Sequence, residues 1–261
     1  MRRESRRAEE AGTEVLFAPF SCKKKEEQQD NGAYGKMQER SIAIDGPAGA
    51  GKSTLARALA QKLGYLYVDT GAIYRTVALR VREAGADPSD PAQVEPLLEG
   101  LDIRMDYGED GVQRMYLDGR DVTEAIRENA VSALASRTAA LPAVRDFLLD
   151  FQQRQARERD VVMDGRDIGT VVLPRAGVKI FLTAAPEARA ERRLLELRQR
   201  GQEAEFDTVL SDILRRDEQD RTRAVAPLRQ AEDAVLLDTT QLDRAGSLEA
   251  MLAIVRARLP R

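Results

Sequence analysis

The sequence predicts an α/β fold in which helices cover a central five-stranded parallel sheet, with a small antiparallel β insert. Short apolar segments alternate with segments of helical periodicity, which is the pattern of parallel strands joined by crossover helices. A glycine-rich loop joins the first strand to the first helix. Three short alternating segments interrupt this rhythm near the middle of the chain. We place the parallel strands at residues 42–45, 65–69, 161–164, 179–183 and 235–238, and the start of the last helix near Ser247.

The glycine-rich loop, residues 46–54, fits the phosphate-binding pattern G-x-x-x-x-G-K-[ST] and lies between a predicted strand and a predicted helix. Its glycines permit backbone angles that turn successive N–H groups toward one anion, at the positively polarised start of a helix. We expect Lys52 to reach the β- and γ-phosphates and Ser53 to ligate Mg²⁺. An ordinary glycine-rich turn is the alternative, but the flanking strand and helix favour a P-loop NTPase fold that binds a nucleoside triphosphate.

The interruption comprises residues 101–107, 112–117 and 120–122, which alternate as strands do. Turn-forming residues separate them at 108–111 and at Asp118-Gly119. We interpret them as a small antiparallel insert. Because it lies between the helix that follows Gly71 and helices spanning about 124–158, we expect it to belong to a mobile lobe beside the core.

Composition restricts the class of protein. The chain has 261 residues with 43% apolar residues, enough for one large domain. A net charge of −3 gives no whole-molecule signature of nucleic-acid binding. Cys22 is the only cysteine and the chain has no histidine, which rules out an intramolecular disulfide and disfavours a structural zinc site. The apolar run at 15–20 contains Pro19 and is too short to span a membrane. We expect a cytoplasmic protein without nucleic-acid or membrane partners.

Residues 1–39 form a separate segment in which basic and acidic residues alternate without apolar periodicity. This pattern predicts a disordered tail. Met37 lies just before the first strand, so a translation-start artefact is one explanation of the tail. A basic arm that binds nucleic acid or membrane is another, but the interleaved acidic residues disfavour it.

Arg216, Asp220 and Arg223 are spaced to share one face of a helix. Such spacing is often a solvated ion-pair ladder. In a phosphotransferase the same face could instead hold a phosphate together with sugar hydroxyls. The sequence contains no guanine-reading N-K-x-D motif, which disfavours a regulatory GTPase.

Four motifs in order carry a family resemblance, at residues 46–54, 69–75, 164–172 and 221–228. In this combination the chain resembles the bacterial cytidylate kinases, from about Ser41 to the C-terminus. The resemblance implies that ATP, with Mg²⁺, phosphorylates CMP or dCMP in pyrimidine metabolism, and we expect a monomer. It also implies a kinase domain over 40–261, with a core at about 40–72, 159–199 and 222–261, a monophosphate-binding lobe at about 73–158 and a lid at about 200–221.

The resemblance also implies roles for individual residues. The catalytic set is Lys52, Arg75, Arg166 and Arg223. ATP would be bound by Gly46, Pro47, Ala48, Gly49, Ala50, Gly51, Lys52, Ser53, Thr54 and Arg192. The acceptor nucleotide would be bound by Thr70, Tyr74, Arg75, Ser136, Arg145, Arg166, Asp167, Arg216, Asp220 and Arg223. Ser53 and Asp164 would hold the metal ion.

Two departures from the family pattern concern Thr70, where serine is common, and Ala48, which lacks a hydroxyl that some relatives carry. We expect both to tune phosphate contacts without removing them. Two other functions remain open: a kinase of another nucleoside monophosphate or small acceptor, and a non-catalytic ATP-binding regulator. Arginines in separate motifs favour an acceptor pocket over the regulator.

Overall fold

The computed structural model describes residues 20–21, 39–199 and 201–259. Its strands are β1 (Phe20–Ser21), β2 (Ile42–Asp45), β3 (Leu66–Asp69), β4 (Ile103–Tyr107), β5 (Gln113–Leu117), β6 (Arg120–Asp121), β7 (Val161–Gly165), β8 (Val178–Thr183) and β9 (Val235–Asp238). Its α-helices are α1 (Lys52–Leu63), α2 (Thr70–Glu83), α3 (Pro91–Val94), α4 (Asn129–Thr138), α5 (Pro142–Glu158), α6 (Pro186–Gln199), α7 (Phe206–Thr222) and α8 (Arg244–Arg258). Within the described ranges, none of these helices has the length and apolar character needed to cross a bilayer.

The central sheet has five parallel strands in the order β3-β7-β2-β8-β9, which confirms the predicted fold class. Strand boundaries differ from prediction by one residue at most. Helix α8 begins at Arg244, before the predicted start near Ser247, because the Asp243 side chain accepts a hydrogen bond from the Gly246 N–H and caps the helix. Strand β2 lies at the centre of the sheet, so the loop that follows it lies at the middle of the carboxyl edge.

Helices cover both faces of the sheet. Alternate residues of β2 point to opposite faces, since successive side chains of a strand do so. Ile42 and Ile44 pack with residues of α1 and α8, including Leu59 and Met251. Ala43 belongs to a second buried cluster, which includes residues of α2 and α5. The strand is therefore buried on both faces, as its unbroken apolar sequence predicts.

The antiparallel insert is present and consists of β4, β5 and β6. Its buried residues, Met105 and Met115 among them, belong to the same apolar cluster as α2 and the sheet. The insert therefore shares this apolar cluster with α2 and one face of the sheet. Its mobility stays a prediction.

The predicted tail, residues 1–39, lies mostly outside the described residues. At Phe20–Ser21 the structure differs from the expected disorder, because β1 pairs antiparallel with β4, with Phe20 opposite Met105. The edge of a hairpin presents unpaired main-chain groups that can accept a further strand. The small sheet therefore has four strands, in the order β1-β4-β5-β6.

The predicted lid, residues 200–221, is largely helical. Helix α7 extends over Phe206–Thr222 and packs against α6 through apolar side chains such as Leu194 and Ile213. Gly201 lies between the two helices with a φ of 69°, in the left-handed region that favours glycine. Together α6 and α7 form one wall of the site described next.

Candidate active site

The glycine-rich loop connects β2 to α1 and has the conformation expected of a phosphate-binding loop. Gly46, Gly49 and Gly51 all have positive φ angles. At Gly46 an added Cβ would lie 1.9 Å from the Leu182 carbonyl oxygen, so no side chain fits there. Lys52 begins α1, is buried, and donates from Nζ to the Pro47 carbonyl at 2.8 Å. The loop thus holds a cation beside free helix N–H groups, an arrangement that favours anions.

A cavity of about 560 Å³ opens beside this loop, between the start of α2, helix α4 and the α6–α7 wall. Nine cationic and five acidic side chains line it. Because the cations are in excess, the cavity suits a ligand that carries several negative charges. All ten residues predicted to bind the acceptor line this one cavity: Thr70, Tyr74, Arg75, Ser136, Arg145, Arg166, Asp167, Arg216, Asp220 and Arg223.

Most of the predicted ATP residues in the loop also line the cavity, but Arg192 does not. The Arg192 guanidinium instead donates to the Thr239 carbonyl at 2.5 Å and to the Thr239 hydroxyl at 3.1 Å. The next residue of α6, Arg193, lines the cavity and pairs with Glu196 at 3.1 Å. Of these two neighbouring arginines, Arg193 lines the cavity and Arg192 does not, and a role of either in ATP binding stays a prediction.

Asp164 lies at the end of β7 and is held by two hydroxyl groups. Ser53 Oγ donates to its Oδ2 and Tyr67 Oη to its Oδ1, each at 2.9 Å. Burial, and then the charge of Asp69, raises the pKa of Asp164 to about 6. Burial, and then the charge of Arg166, lowers the pKa of Lys52 to about 7. Both groups are thus deprived of solvent, and their charged forms need a ligand or a counter-charge.

Asp45, the last residue of β2, organises the turn that follows β7. Its carboxylate accepts hydrogen bonds from the N–H groups of Ile168 and Gly169, both at 2.7 Å. Burial raises the pKa of Asp45 to about 6, although these two hydrogen bonds act in the opposite direction. The π-helical turn at Ile168–Val172 is therefore tied to the central strand, which fixes the position of Asp167.

Asp167 is buried and lies between two buried arginines. One carboxylate oxygen pairs with Arg145 and the other with Arg223 Nη2 at 3.4 Å. The Arg145 guanidinium also lies 5.5 Å from the centre of the Tyr74 ring. Burial, and then the charge of Arg145, lowers the pKa of Arg223. The carboxylate therefore compensates two cations that would otherwise repel each other.

The helical face of Arg216, Asp220 and Arg223 is not a solvated ion-pair ladder. Asp220 is buried and accepts from Arg166 Nε at 2.7 Å, so its partner comes from the loop after β7. Burial acts to lower the pKa of Arg166, but the charge and hydrogen bond of Asp220, together with the charges of Asp164 and Asp217, outweigh burial and raise that pKa. Burial, and then Arg166, lowers the pKa of Arg216, which makes no ion pair among the described residues. An anion in the cavity would reduce the repulsion between the Arg166 and Arg216 guanidinium groups.

The start of α2 carries Arg75 into the cavity. Asp69 caps the helix by accepting from the Ala72 N–H at 2.9 Å, and its second oxygen pairs with Arg75 Nη2 at 3.1 Å. Arg75 Nε is buried without a hydrogen-bond partner in the described structure. The Thr70 hydroxyl donates to the Asp164 carbonyl at 2.7 Å, so this departure from serine keeps a hydrogen-bonding group next to the cavity.

At Ala48, the second departure, the main-chain carbonyl accepts from Arg189 Nη1 at 2.8 Å. Arg189 is buried and pairs with Asp217 of α7 at 2.6 Å. The loop is therefore tied to both α6 and α7 through one guanidinium group, without any contribution from the Ala48 side chain.

Sequence reasoning missed two kinds of site residue. Among the further residues that line the cavity are Arg57, Arg127, Asn129, Ser132, Arg193 and Glu196. Others hold a lining residue in place, such as Tyr67 and Asp45. Arg57 carried a usable signal, because it lies one helical turn after Ser53 on α1. Tyr67 carried none, since a tyrosine in a buried strand has the pattern of an ordinary core residue.

A phosphate-binding loop at the carboxyl edge of a parallel sheet, facing an arginine-lined cavity, defines a P-loop phosphotransferase. The family model described as cytidylate kinase matches residues 42–257. The chain is 48% identical to a cytidylate kinase of Caldicellulosiruptor bescii, covering 84% of this chain and 96% of that protein. It is 49% identical to one of Geobacter sulfurreducens, covering 83% and 93%. The chain belongs to the cytidylate kinase family.

Proposed function

We propose that this chain transfers the γ-phosphoryl group of ATP to CMP and dCMP, forming ADP and the corresponding diphosphates. The observation that carries this proposal is the convergence of Arg75, Arg166 and Arg223, from three separate motifs, on the cavity that also contains Lys52. Family membership supports the choice of a cytidine nucleotide as acceptor. We place the activity in pyrimidine nucleotide metabolism in the cytoplasm.

The acceptor nucleotide is recognised at two ends. Guanidinium groups of Arg75, Arg166 and Arg223 bind its phosphate, because planar forks of N–H donors match phosphate oxygens. Cytosine presents an amino donor beside ring acceptors, which suits the Asp167 carboxylate and the Ser136 hydroxyl together with the Arg145 donors. The sugar hydroxyls lie against Asp220 and Arg216. Tyr74 and Thr70 complete the pocket beside the phosphate.

Phosphoryl transfer needs no nucleophilic side chain. An oxygen of the acceptor phosphate attacks the γ-phosphorus and the bond to the β-phosphate oxygen breaks, so the protein aligns two anions and stabilises the charge between them. Lys52 and the N–H groups of the loop bind the donor phosphates. Arg75, Arg166 and Arg223 neutralise the acceptor and the transferred group. A single arginine in this role contributes about 10³ to 10⁵ in rate.

Ser53 and Asp164 fit the chemistry of a magnesium site. A hydroxyl and a carboxylate are hard oxygen ligands, and their oxygens lie 2.9 Å apart. The described residues contain no group of three or more acidic, cysteine or histidine side chains that could bind a metal without other ligands. We therefore infer that the ion binds together with ATP, whose phosphates supply the remaining ligands. When bound, Mg²⁺ neutralises the charge on the β- and γ-phosphates.

Three parts of the chain have separate roles in the reaction. The core at about 40–72, 159–199 and 222–261 binds ATP, and the lobe at about 73–158 binds the acceptor. The region at about 200–221, with Arg193 on the preceding helix, closes over the donor. Closure excludes water, which would otherwise accept the phosphoryl group.

Steady-state ADP release tests the proposed reaction. With ATP and Mg²⁺, we expect CMP and dCMP to stimulate release at least about a hundredfold more than UMP, AMP, GMP or no acceptor. The reason is that a site built to pair with the cytosine amino group and the ring acceptors beside it leaves buried polar groups unpaired with uracil, while the purines present a different donor and acceptor pattern on a larger ring system. Strong release with another acceptor would identify a different small-molecule kinase. ATP binding without release in any mixture would favour a non-catalytic regulator.

A second prediction concerns the magnesium site. Tyr67→Phe removes the 2.9 Å hydrogen bond to Asp164 Oδ1. We expect about a tenfold rise in the Mg²⁺ concentration that gives half-maximal activity at fixed ATP, because partners of metal ligands orient those ligands. Tyr116→Phe is the control, since the Tyr116 hydroxyl makes no hydrogen bond within the described residues. Equal Mg²⁺ requirements in the two variants would contradict this placement of the ion.

A further inference from the structure

The outer edge of the central sheet is formed by β3, which pairs only with β7 among the described strands. In a parallel strand, the main-chain N–H and C=O of one residue point to the same side, and those of the next residue point to the other. Leu66 faces the β7 side, where its N–H donates to the Asp160 carbonyl. Tyr67 and Asp69 therefore present their main-chain groups to the open edge. Such groups need partners when they are buried.

Two side chains of the insert occupy that edge. Tyr107 Oη donates to the Tyr67 carbonyl at 2.8 Å. Gln113 makes both bonds of a strand-like pair with Asp69: its Oε1 accepts from the Asp69 N–H at 2.8 Å, and its Nε2 donates to the Asp69 carbonyl at 3.2 Å. Tyr107 and Gln113 lie opposite each other in the β4–β5 ladder. One pair of facing residues thus takes the place of a sixth strand.

Asp69 links this edge to the cavity. The Gln113 amide fixes the main chain of Asp69, whose carboxylate both caps α2 at Ala72 and pairs with Arg75. Space at this junction is tight, because a Cβ on Gly71 would lie 3.0 Å from Arg75 Nη1 and from Asp69 Oδ1. A small rotation of the Asp69 main chain therefore moves the Arg75 guanidinium. Gln113 itself is buried and does not line the main cavity.

We propose that Gln113 is a positioning residue: the antiparallel insert uses its amide to fix Asp69, and through Asp69 it aims Arg75 at the acceptor's phosphate. This inference rests on the proposed function, because it assigns Arg75 to the acceptor. It gives the insert a role in acceptor binding that does not require contact with the nucleotide.

The test compares Gln113→Leu with Tyr107→Phe in the full-length chain. Both changes remove hydrogen bonds from the insert to β3, but only the first affects Asp69. For Gln113→Leu we expect KM for CMP to rise about tenfold while KM for ATP changes less than about twofold. For Tyr107→Phe we expect both KM values to stay within about twofold of those of the unmodified chain. Gln113→Met provides a second variant of similar length if the leucine variant folds poorly.

Amide hydrogen exchange gives a readout that does not depend on catalysis. We expect the N–H of Ala72 to exchange about tenfold faster in Gln113→Leu and at an unchanged rate in Tyr107→Phe. An unchanged KM for CMP, or equal changes in KM for CMP and ATP, would overturn the positioning role. If the unmodified chain shows no CMP-dependent ADP release, the proposed function fails, and the Ala72 exchange rates alone decide whether Gln113 positions the start of α2.

Discussion

Replacement of Lys52 by alanine is expected to lower kcat for CMP phosphorylation by about a thousandfold or more while the protein stays folded. The Lys52 ammonium is the loop's own cation, and its Nζ lies 2.8 Å from the Pro47 carbonyl, within reach of phosphates that enter the loop. Charge development on the transferred group is stabilised mainly by such fixed cations, so loss of one affects the transition state strongly.

The fold should survive this change. Burial and the neighbouring Arg166 lower the pKa of Lys52 to about 7, so the folded state already disfavours its charged form. Removal of the ammonium therefore relieves an unfavourable burial, and we expect a Tm within a few degrees of that of the unmodified chain. Lys62→Ala is the matched control, because Lys62 lies on the same helix but is exposed and pairs loosely with Glu249 at 3.7 Å. A Lys52→Ala variant within tenfold of normal turnover would contradict the assigned role.

The fold could be predicted largely from the sequence because its main signals are local. Each strand of the parallel sheet is a short apolar run between turns, and each helix has an apolar stripe, so burial on both faces of the sheet follows from the pattern. The features that the sequence did not predict depend on individual contacts. The early start of α8 rests on the Asp243 cap, and the pairing of Phe20–Ser21 with β4 rests on an edge that exists only after the insert has folded.

The site was predictable where the chemistry of a residue is specified by its motif. The loop and the residues predicted to bind the acceptor were selected in this way. The structure brings them to one cavity, and their individual roles stay predictions. The motifs do not determine whether Arg192 or Arg193 lines the cavity. Consecutive residues of a helix point about 100° apart, so the choice between them depends on the orientation of α6, which its sequence does not state. The role of Gln113 could not be predicted from the sequence for a similar reason, because its hydrogen-bond partner Asp69 is distant in the chain.

Replacement of Asp167 by asparagine is the other change from which we expect a large effect, here on both stability and activity. Asp167 compensates Arg145 and Arg223, and all three side chains are less than 10% exposed. Without its negative charge, two buried guanidinium groups face each other without an ion-pair partner among the described residues, although Arg223 still feels the charge of Asp220. Breaking a buried pair in this way lowers the free energy of unfolding by about 3–5 kcal/mol, which corresponds to a fall in Tm of about 10 °C.

The control for this change is Asp150→Asn. Asp150 also pairs with two arginines, Arg154 at 2.7 Å and Arg157 at 2.9 Å, but it is 58% exposed. An exposed pair contributes about 1 kcal/mol or less, so the same chemical change there should leave both Tm and kinetics nearly unaltered. The comparison separates the effect of a buried counter-charge from the effect of removing any carboxylate from a pair of arginines.

Activity should fall with stability in Asp167→Asn, but for a separate reason. The carboxylate is the acceptor proposed for the cytosine amino group, so its loss should lower kcat/KM for CMP about a hundredfold even well below the Tm. A second substitution, Arg145→Met, tests the electrostatic explanation directly. Combined with Asp167→Asn, it removes one of the two uncompensated cations and should restore part of the lost stability without restoring activity. If the double variant were less stable than the sum of the single changes, repulsion between Arg145 and Arg223 would not be the cause of the destabilisation.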